Sequence, residues 1–323
     1  MWKDLHPDRR MTPTAATTSD AAYTPAPSAD FVLPFELPAL GLRGRLIRLD
    51  NVSSRALSAH PLPEAAQRVL AEALVLAALL GSALKFEGRL SVQLKGNGPL
   101  DLLVTDYFAD ATPGGGLRGY ARLNEENFAA SGQPAQFDKL AGSGALAITI
   151  EPKKGAQTYQ GLVPLSADGL SASAETYFFQ SEQLPTALRL SAGPTYRSGE
   201  GRGWRAGAIM VQAVPGREAD RDKTSDDWQR IQLFLKTLED YELLDTAISA
   251  ESVLWRLFHE DEVRVHPSQA LRFECSCRPE NIRSVLGAYP VEELKDLPDP
   301  DGVIRTRCEF CSTVYEFPLA SFS

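Results

Sequence analysis

No cysteine precedes Cys275 in this chain of 323 residues, and only four histidines and three methionines occur anywhere in it. No unbroken apolar run reaches the roughly eighteen residues that a membrane-crossing helix needs, so no membrane partner is expected. The first residues mix Lys3, Arg9 and Arg10 with Asp4, Asp8 and Asp20 and lack the apolar stretch of a secretory signal. Residues 1–29 read as a disordered tail, and the expected compartment is the cytoplasm, where thiols persist unoxidised. Basic charge is also lacking: a net charge of −9 leaves no electrostatic footprint for nucleic acid and none for a polybasic membrane anchor. Catalytic signatures are missing as well. Neither H-E-x-x-H nor H-x-E with P-C-x-x-C occurs, and four histidines do not assemble a Ser/His/Asp set. The glycine run at 114–116 precedes a strand pattern, not a helix, so it implies no phosphate cradle. No enzyme is expected.

What is present is a foldable chain. Its 43% hydrophobic content suffices to bury a real core. Phe31 to Leu49 reads as extended, broken by Pro34 and Pro38. Pro63 and Glu64 open a helix running to about Leu84, with Val69, Leu70, Leu74, Ala77 and Ala78 on an apolar face. Leu90, Val92 and Leu94 alternate with polar residues before "GNGP" turns the chain into 100–107, and a third strand spans 117–122. Further strands are expected at 144–150, 159–165, 186–191 and 204–214, with a helix near 171–182. The Gly- and Arg-rich stretch 193–204 reads as a surface loop. The fold class is α+β, with mostly antiparallel strands.

Composition shifts near Pro215, where "PGREADRDKTSDD" forms a charged turn and Thr224 or Ser225 offers a cap for a helix starting at Asp226. Trp228, Ile231, Leu235 and Leu238 then recur at helical spacing, and a second amphipathic helix is expected over 245–258. Two short helices cannot bury such stripes on each other alone; each large apolar side chain covered is worth about 1.5–3 kcal/mol. The division that follows is a tail at 1–29, an α+β core at 30–220, a helical linker at 221–262 and a small module at 263–323.

That module holds Cys275 and Cys277 as C-x-C, and Cys308 and Cys311 as C-x-x-C. Residues i and i+2 of an extended segment point to one side, and a C-x-x-C at a turn does likewise, so both pairs suit one tetrahedral zinc ion. Pro279 starts a short helix between them, 292–297 adds a turn, and "DPDG" leads into a hairpin with Cys308 and Cys311 at its tip. His259 and His266 are not needed as ligands. The competing readings are a purely structural zinc knuckle, two static disulfides, or four unrelated buried cysteines. So small a module buries too little surface to be comfortably stable, whereas zinc binding contributes on the order of 10–16 kcal/mol. Thiolate sulfur is also what oxidants attack. A Cys308–Cys311 disulfide is sterically easy, and one between Cys275 and Cys277 must bend the backbone.

The stretches "FECSCRPENIRSVLGAYPVEEL" and "CEFC", with "FEGRLSVQLKGNGPLDLLVTDY", "LRGYAR" and "YFFQSEQLPTALRLS", resemble the redox-regulated heat-shock protein 33 chaperones of bacteria. The resemblance covers nearly the whole chain beyond residue 29. It implies an ATP-independent holdase that keeps one zinc ion on the four cysteines when reduced. Oxidation would form one disulfide within each pair, Cys275 with Cys277 and Cys308 with Cys311, and release the zinc. Switch and linker would then loosen, apolar surface would bind unfolding client proteins, and the active form would be a homodimer. Trp228, Ile231, Leu235 and Leu238 are the candidate switch surface, against the plainer reading of a permanently buried core. The rival functions are a non-switching zinc-ribbon interaction protein and a dithiol oxidoreductase, whose C-x-x-C would sit at a helix start after a strand. Arg278, Arg283, Arg305 and Arg307 are read as offsetting thiolate charge.

Overall fold

One proline and a left-handed glycine decide how the folded chain begins; the other proline, Pro34, does not break its strand as expected. In the computed structural model, residues 30–322 are described apart from 110–113, 154–156, 198, 200, 215–225 and 298. The proposed tail 1–29 and the caps Thr224 and Ser225 lie outside the described residues. Strand β1 (Phe31–Leu37) ends where Pro38 opens a single 3-10 turn, and Gly41 at φ 61° reverses the chain into β2 (Leu42–Leu49). Phe35 faces Gly44 across this pair; a side chain at Gly44 would meet the Phe35 ring at 2.1 Å.

Helix α1 (Asn51–Ser58) follows, then α2 (Glu64–Ala83), whose central residues are almost all buried. By length and hydropathy α2 could cross a bilayer, but 72% of that stretch is buried inside the protein, the mark of a core helix. Strands β3 (Gly88–Gly96), β4 (Leu100–Phe108) and β5 (Gly115–Leu123) form the expected meander. Short helices α3 (Glu125–Ala130) and α4 (Phe137–Ala141) lead to β6 (Gly144–Pro152) and β7 (Tyr159–Pro164). Helix α5 (Leu170–Tyr177) closes in a π-turn, and β8 (Thr186–Arg197) pairs with β9 (Gly201–Ala213). The stretch expected to be a loop at 193–204 is the end of this long hairpin. Its pairing runs out to Arg197 and Gly201 because Gly201, at φ 80°, takes a backbone shape that other residues resist.

Three helices come next: α6 (Asp226–Lys236), α7 (Asp240–Leu244) and α8 (Ala250–Phe258). The single helix expected over 245–258 is thus shorter. Asp245 ends α7, and the Ser249 side chain accepts the Ser252 amide to start α8 afresh. Then come β10 (Arg264–Val265) and β11 (Gln269–Phe273), which the sequence pattern did not reveal. The C-terminal part contains α9 (Pro279–Leu286), α10 (Val291–Leu294) and a hairpin of β12 (Val303–Arg307) and β13 (Val314–Pro318).

The large sheet runs β7-β6-β3-β4-β5-β11-β1-β2-β9-β8, with β10 also on β1. Only β11 joins its two halves among the described residues, pairing parallel with β5 and antiparallel with β1. The glycine run makes that join possible. Gly114 sits at φ 83°, and a side chain there would meet the Ala270 carbonyl oxygen at 1.8 Å. Alternation along β1, β2 and β9 sorts the core into two layers. Val32, Ile47, Ala208 and Met210 pack with α2, whereas Leu33, Leu46, Ile209 and Val211 pack with α6–α8.

Candidate metal centre

The four cysteines reach one place by two routes. Strand β11 runs beside β5 as far as Phe273 opposite Leu117, and the Glu274 amide donates to the Leu117 carbonyl at 2.8 Å. The chain leaves the sheet there, so Cys275 and Cys277 stand at its rim. Cys308 and Cys311 occupy the turn between β12 and β13. The Cys308 amide donates to the Thr313 carbonyl at 2.9 Å and the Ser312 amide to the Cys308 carbonyl at 2.8 Å. Ser312 takes φ 57°, which closes the turn.

All four Sγ atoms lie within 4.8 Å of one another, and all four cysteines are free and partly buried. Cys275 and Cys308 approach to 3.7 Å and Cys277 and Cys311 to 3.4 Å. Sulfurs held at about 2.3 Å around a tetrahedral ion are about 3.8 Å apart, so the set has the spacing and the soft donors that such an ion requires. Both of these approaches run from one motif to the other, so the two motifs share one centre.

Neighbouring groups tune these sulfurs. The Tyr315 hydroxyl donates to Cys277 Sγ at 3.2 Å, and Thr313 Oγ1 lies 3.1 Å from Cys311 Sγ. Burial pushes the Cys275 and Cys308 thiols up from the ordinary range. At Cys311 burial acts upward too, but hydrogen bonds to Thr313 and to the neighbouring cysteines outweigh it and bring the thiol to about 7. The bond to Cys277 holds the Tyr315 hydroxyl above its usual value.

The arginines read as charge partners of the thiolates are mostly spent elsewhere. Arg305 bonds Asp299, Asp301 and Glu316, Arg283 lies over the Phe317 and Phe322 rings, and Arg307 donates to the Ala59 carbonyl and Ser312. Only the Arg305 and Arg307–Ser312 bonds lie within the β12–β13 hairpin and its approach; Arg307 also reaches across to the core at Ala59. His259 stacks on Trp255 and His266 lies 3.4 Å from Glu36, neither among the four sulfurs.

Trp228, Ile231, Leu235 and Leu238 are not brought to the thiols. They are buried against Leu33, Phe35, Leu46 and Val211 of the large sheet. Arginines of the sheet hold the next helix, α7, and the turn after it: Arg48 donates to the Glu242 carbonyl at 2.8 Å and to that of Ile248, and Arg189 pairs with Asp240 at 2.9 Å. Gly207 lets α7 lie close, since a side chain there would meet Leu243 at 2.8 Å. Sequence reasoning also missed the residues that seat the centre on the core. Ser312 Oγ donates to the Ala59 carbonyl at 2.6 Å, and Phe310 packs beside Tyr120 and over Arg118. Strand alternation put Arg118 and Tyr120 on one face of β5, which was the available signal.

A mixed α+β core joined to a compact four-thiol centre able to hold a metal ion defines a class of two-part protein. Matching the chain to family models places residues 30–318 in the family described as Hsp33 protein, and the chain belongs to that family. It is 40% identical over 290 residues to the 33 kDa chaperonin of Caulobacter vibrioides strain NA1000, covering 89% of this chain and 94% of the relative. It is 36% identical over 276 residues to the 33 kDa chaperonin of Escherichia coli strain K12 DH10B, covering 85% and 88%. The crystal structure of the 33 kDa chaperonin of Thermotoga maritima has the same fold, with a TM-score of 0.71 at 24% identity over 91% of this chain and 97% of that one. The names of these relatives describe chaperonins, a class that is not enzymatic.

Proposed function

We propose that this protein is a redox-regulated, ATP-independent holdase of the cytoplasm, whose four cysteines are both metal ligands and switch. The observation that carries this reading is the gathering of four free sulfurs within 4.8 Å at the rim of the core sheet. Cys275, Cys277, Cys308 and Cys311 would hold one zinc ion, which supplies cohesion to a module too small to stand on its own packing. Under oxidant, Cys275 with Cys277 and Cys308 with Cys311 each give up two electrons to a peroxide, which is reduced to water as one S–S bond forms per pair. Sulfurs bonded to each other no longer offer that donor set, and the zinc is lost.

The path to apolar surface is short. Residues 259–274 tie α8 to the thiols through β10 and β11, so loosening of the module pulls on the segment that leads to the linker helices. Departure of α6–α8 would uncover Leu33, Phe35, Leu46, Ile209 and Val211, a face suited to unfolding clients and to a second copy of the chain. Trp228, Ile231, Leu235 and Leu238 would be freed with it. The dithiol-oxidoreductase reading is disfavoured by the turn on which Cys308 and Cys311 sit, which starts no helix.

The test is peroxide treatment of reduced, zinc-loaded protein. Zinc release, thiol loss, anilinonaphthalene dye binding and suppression of client aggregation are followed together, and all four are expected to move in step. Aggregation suppression that rises with the metal retained overturns the mechanism.

A further inference from the structure

One guanidinium touches both cysteine motifs. Arg118 of β5 spends Nε and Nη2 on the Asp106 carboxylate, each at 2.7 Å, and its Nη1 donates to Ser276 Oγ at 2.7 Å. Its flat face lies 3.9 Å from the ring centre of Phe310. Ser276 is the residue between Cys275 and Cys277, and Phe310 lies between Cys308 and Cys311. Arg118 is 9% exposed and Asp106 only 1%, and Asp106 also accepts from the Ser91 hydroxyl. The anchor is therefore fixed in the core, while the two contacts it offers outward end on the spacers of the two thiol motifs.

We infer that Arg118 is the positioning residue that docks both cysteine pairs on the core sheet and so couples the state of either pair to that sheet. The inference deepens the redox reading and rests on it for its regulatory meaning. Arginine suits the task because its planar fork binds a carboxylate with one edge while another nitrogen and the face remain available; lysine has no such plane. Closing an S–S bond of about 2.0 Å between Cys275 and Cys277 must move Ser276. Closing one between Cys308 and Cys311 must move the turn that carries Phe310. Each pair thus breaks its own contact to the same cation, and the hold of Arg118 on the module is fully lost only when both have moved. The backbone reporter is adjacent: the Glu274 amide bonded to the Leu117 carbonyl lies one residue before Arg118 on one strand and one before Cys275 on the other.

The experiment is hydrogen exchange at the Glu274 amide in full-length, reduced protein, with zinc content measured on the same samples. Phe310→Ala and Arg118→Lys are each expected to speed exchange about tenfold, the worth of a part-buried cation–ring contact. Ser276→Ala is expected to speed it about fivefold, one hydrogen bond. Phe310→Tyr, which keeps the ring, is expected to leave it at the wild-type rate, and Phe310→Ala is expected to add little in an Arg118→Lys background. Phe310→Ala and Ser276→Ala leave the Asp106 pair intact, so they decide the matter even if Arg118→Lys fails to fold. Exchange within twofold of wild type in both would overturn the inference. A wild-type protein that takes up no zinc yet responds to these variants would sink the metal reading alone.

Discussion

The core and the C-terminal module keep their shape by different means. Around α2 the core buries an unbroken set of leucines, valines and alanines from two halves of a large sheet. Among the described residues beyond Cys277, the module's own apolar cluster is buried only at Leu294, Ile304 and Phe317, with Ile282, Leu286, Tyr315, Leu319 and Phe322 half-covered beside them. At about 1.5–3 kcal/mol per buried large side chain, three cannot offset the ordering of some forty residues at about 1–2 kcal/mol each. On the function proposed above, the core is held by apolar packing and the module by an ion on its four sulfurs. A structure held by many weak contacts fails gradually under mutation, whereas one held by a single centre fails at once under chemistry.

The sharpest way to break this contrast is to strip the centre. Chelation, or Cys308→Ser, is expected to remove on the order of 10–16 kcal/mol of binding from the module. Amides of β12 and β13 should then exchange at unprotected rates while those of α2 stay protected. Protection that persists in the hairpin of the metal-free protein would erase the distinction. Next in size is the converse change in the core. Leu74→Ala, at a fully buried position on α2, is expected to cost about 2–5 kcal/mol. Thermal unfolding should show the loss, and zinc stoichiometry should not change. The smallest contrast is electrostatic. Module charges such as Arg305 with Asp301 sit in solvent, but burial against the core raises half-buried Glu72 from 4.5 to about 7. The unfolded chain ionises this group first, so its contribution makes stability fall as pH climbs from 4.5 through about 7. Glu72→Gln should remove that part of the fall, read as a flatter dependence of the unfolding midpoint on pH over this window.

What the sequence made legible was local in character. The thiol motifs, the "DPDG" turn and the Pro279 helix start each depend on a few adjacent residues, and the structure has β12 and β13 flanking Cys308 and Cys311 as the pattern implied. The stripe of Trp228, Ile231, Leu235 and Leu238 was legible as buried, though not which strands it covers. Strand β11 was not legible. Its five residues carry no alternation strong enough to register, and its partners Gly115 and Phe31 lie far away in the chain. Arg118 has no legible role within "LRGYAR", because nothing near it in the chain announces Asp106 on one side and two thiol spacers on the other. The hairpin end at 193–204 was misjudged for a related reason. Glycines that signal loops also permit tightly paired strands, and only the register tells them apart.

Strand β11 carries one more consequence. As the chain emerges from the ribosome, β1 to β9 can form only as two part-sheets, with the borders of β1 and β5 left open. The closing pairs, such as Leu271 with Gly115, join positions about 150 residues apart, a separation that makes for late and slow assembly. Every newborn copy therefore passes through a period with two raw strand borders on display, the very hazard such a protein would spare others.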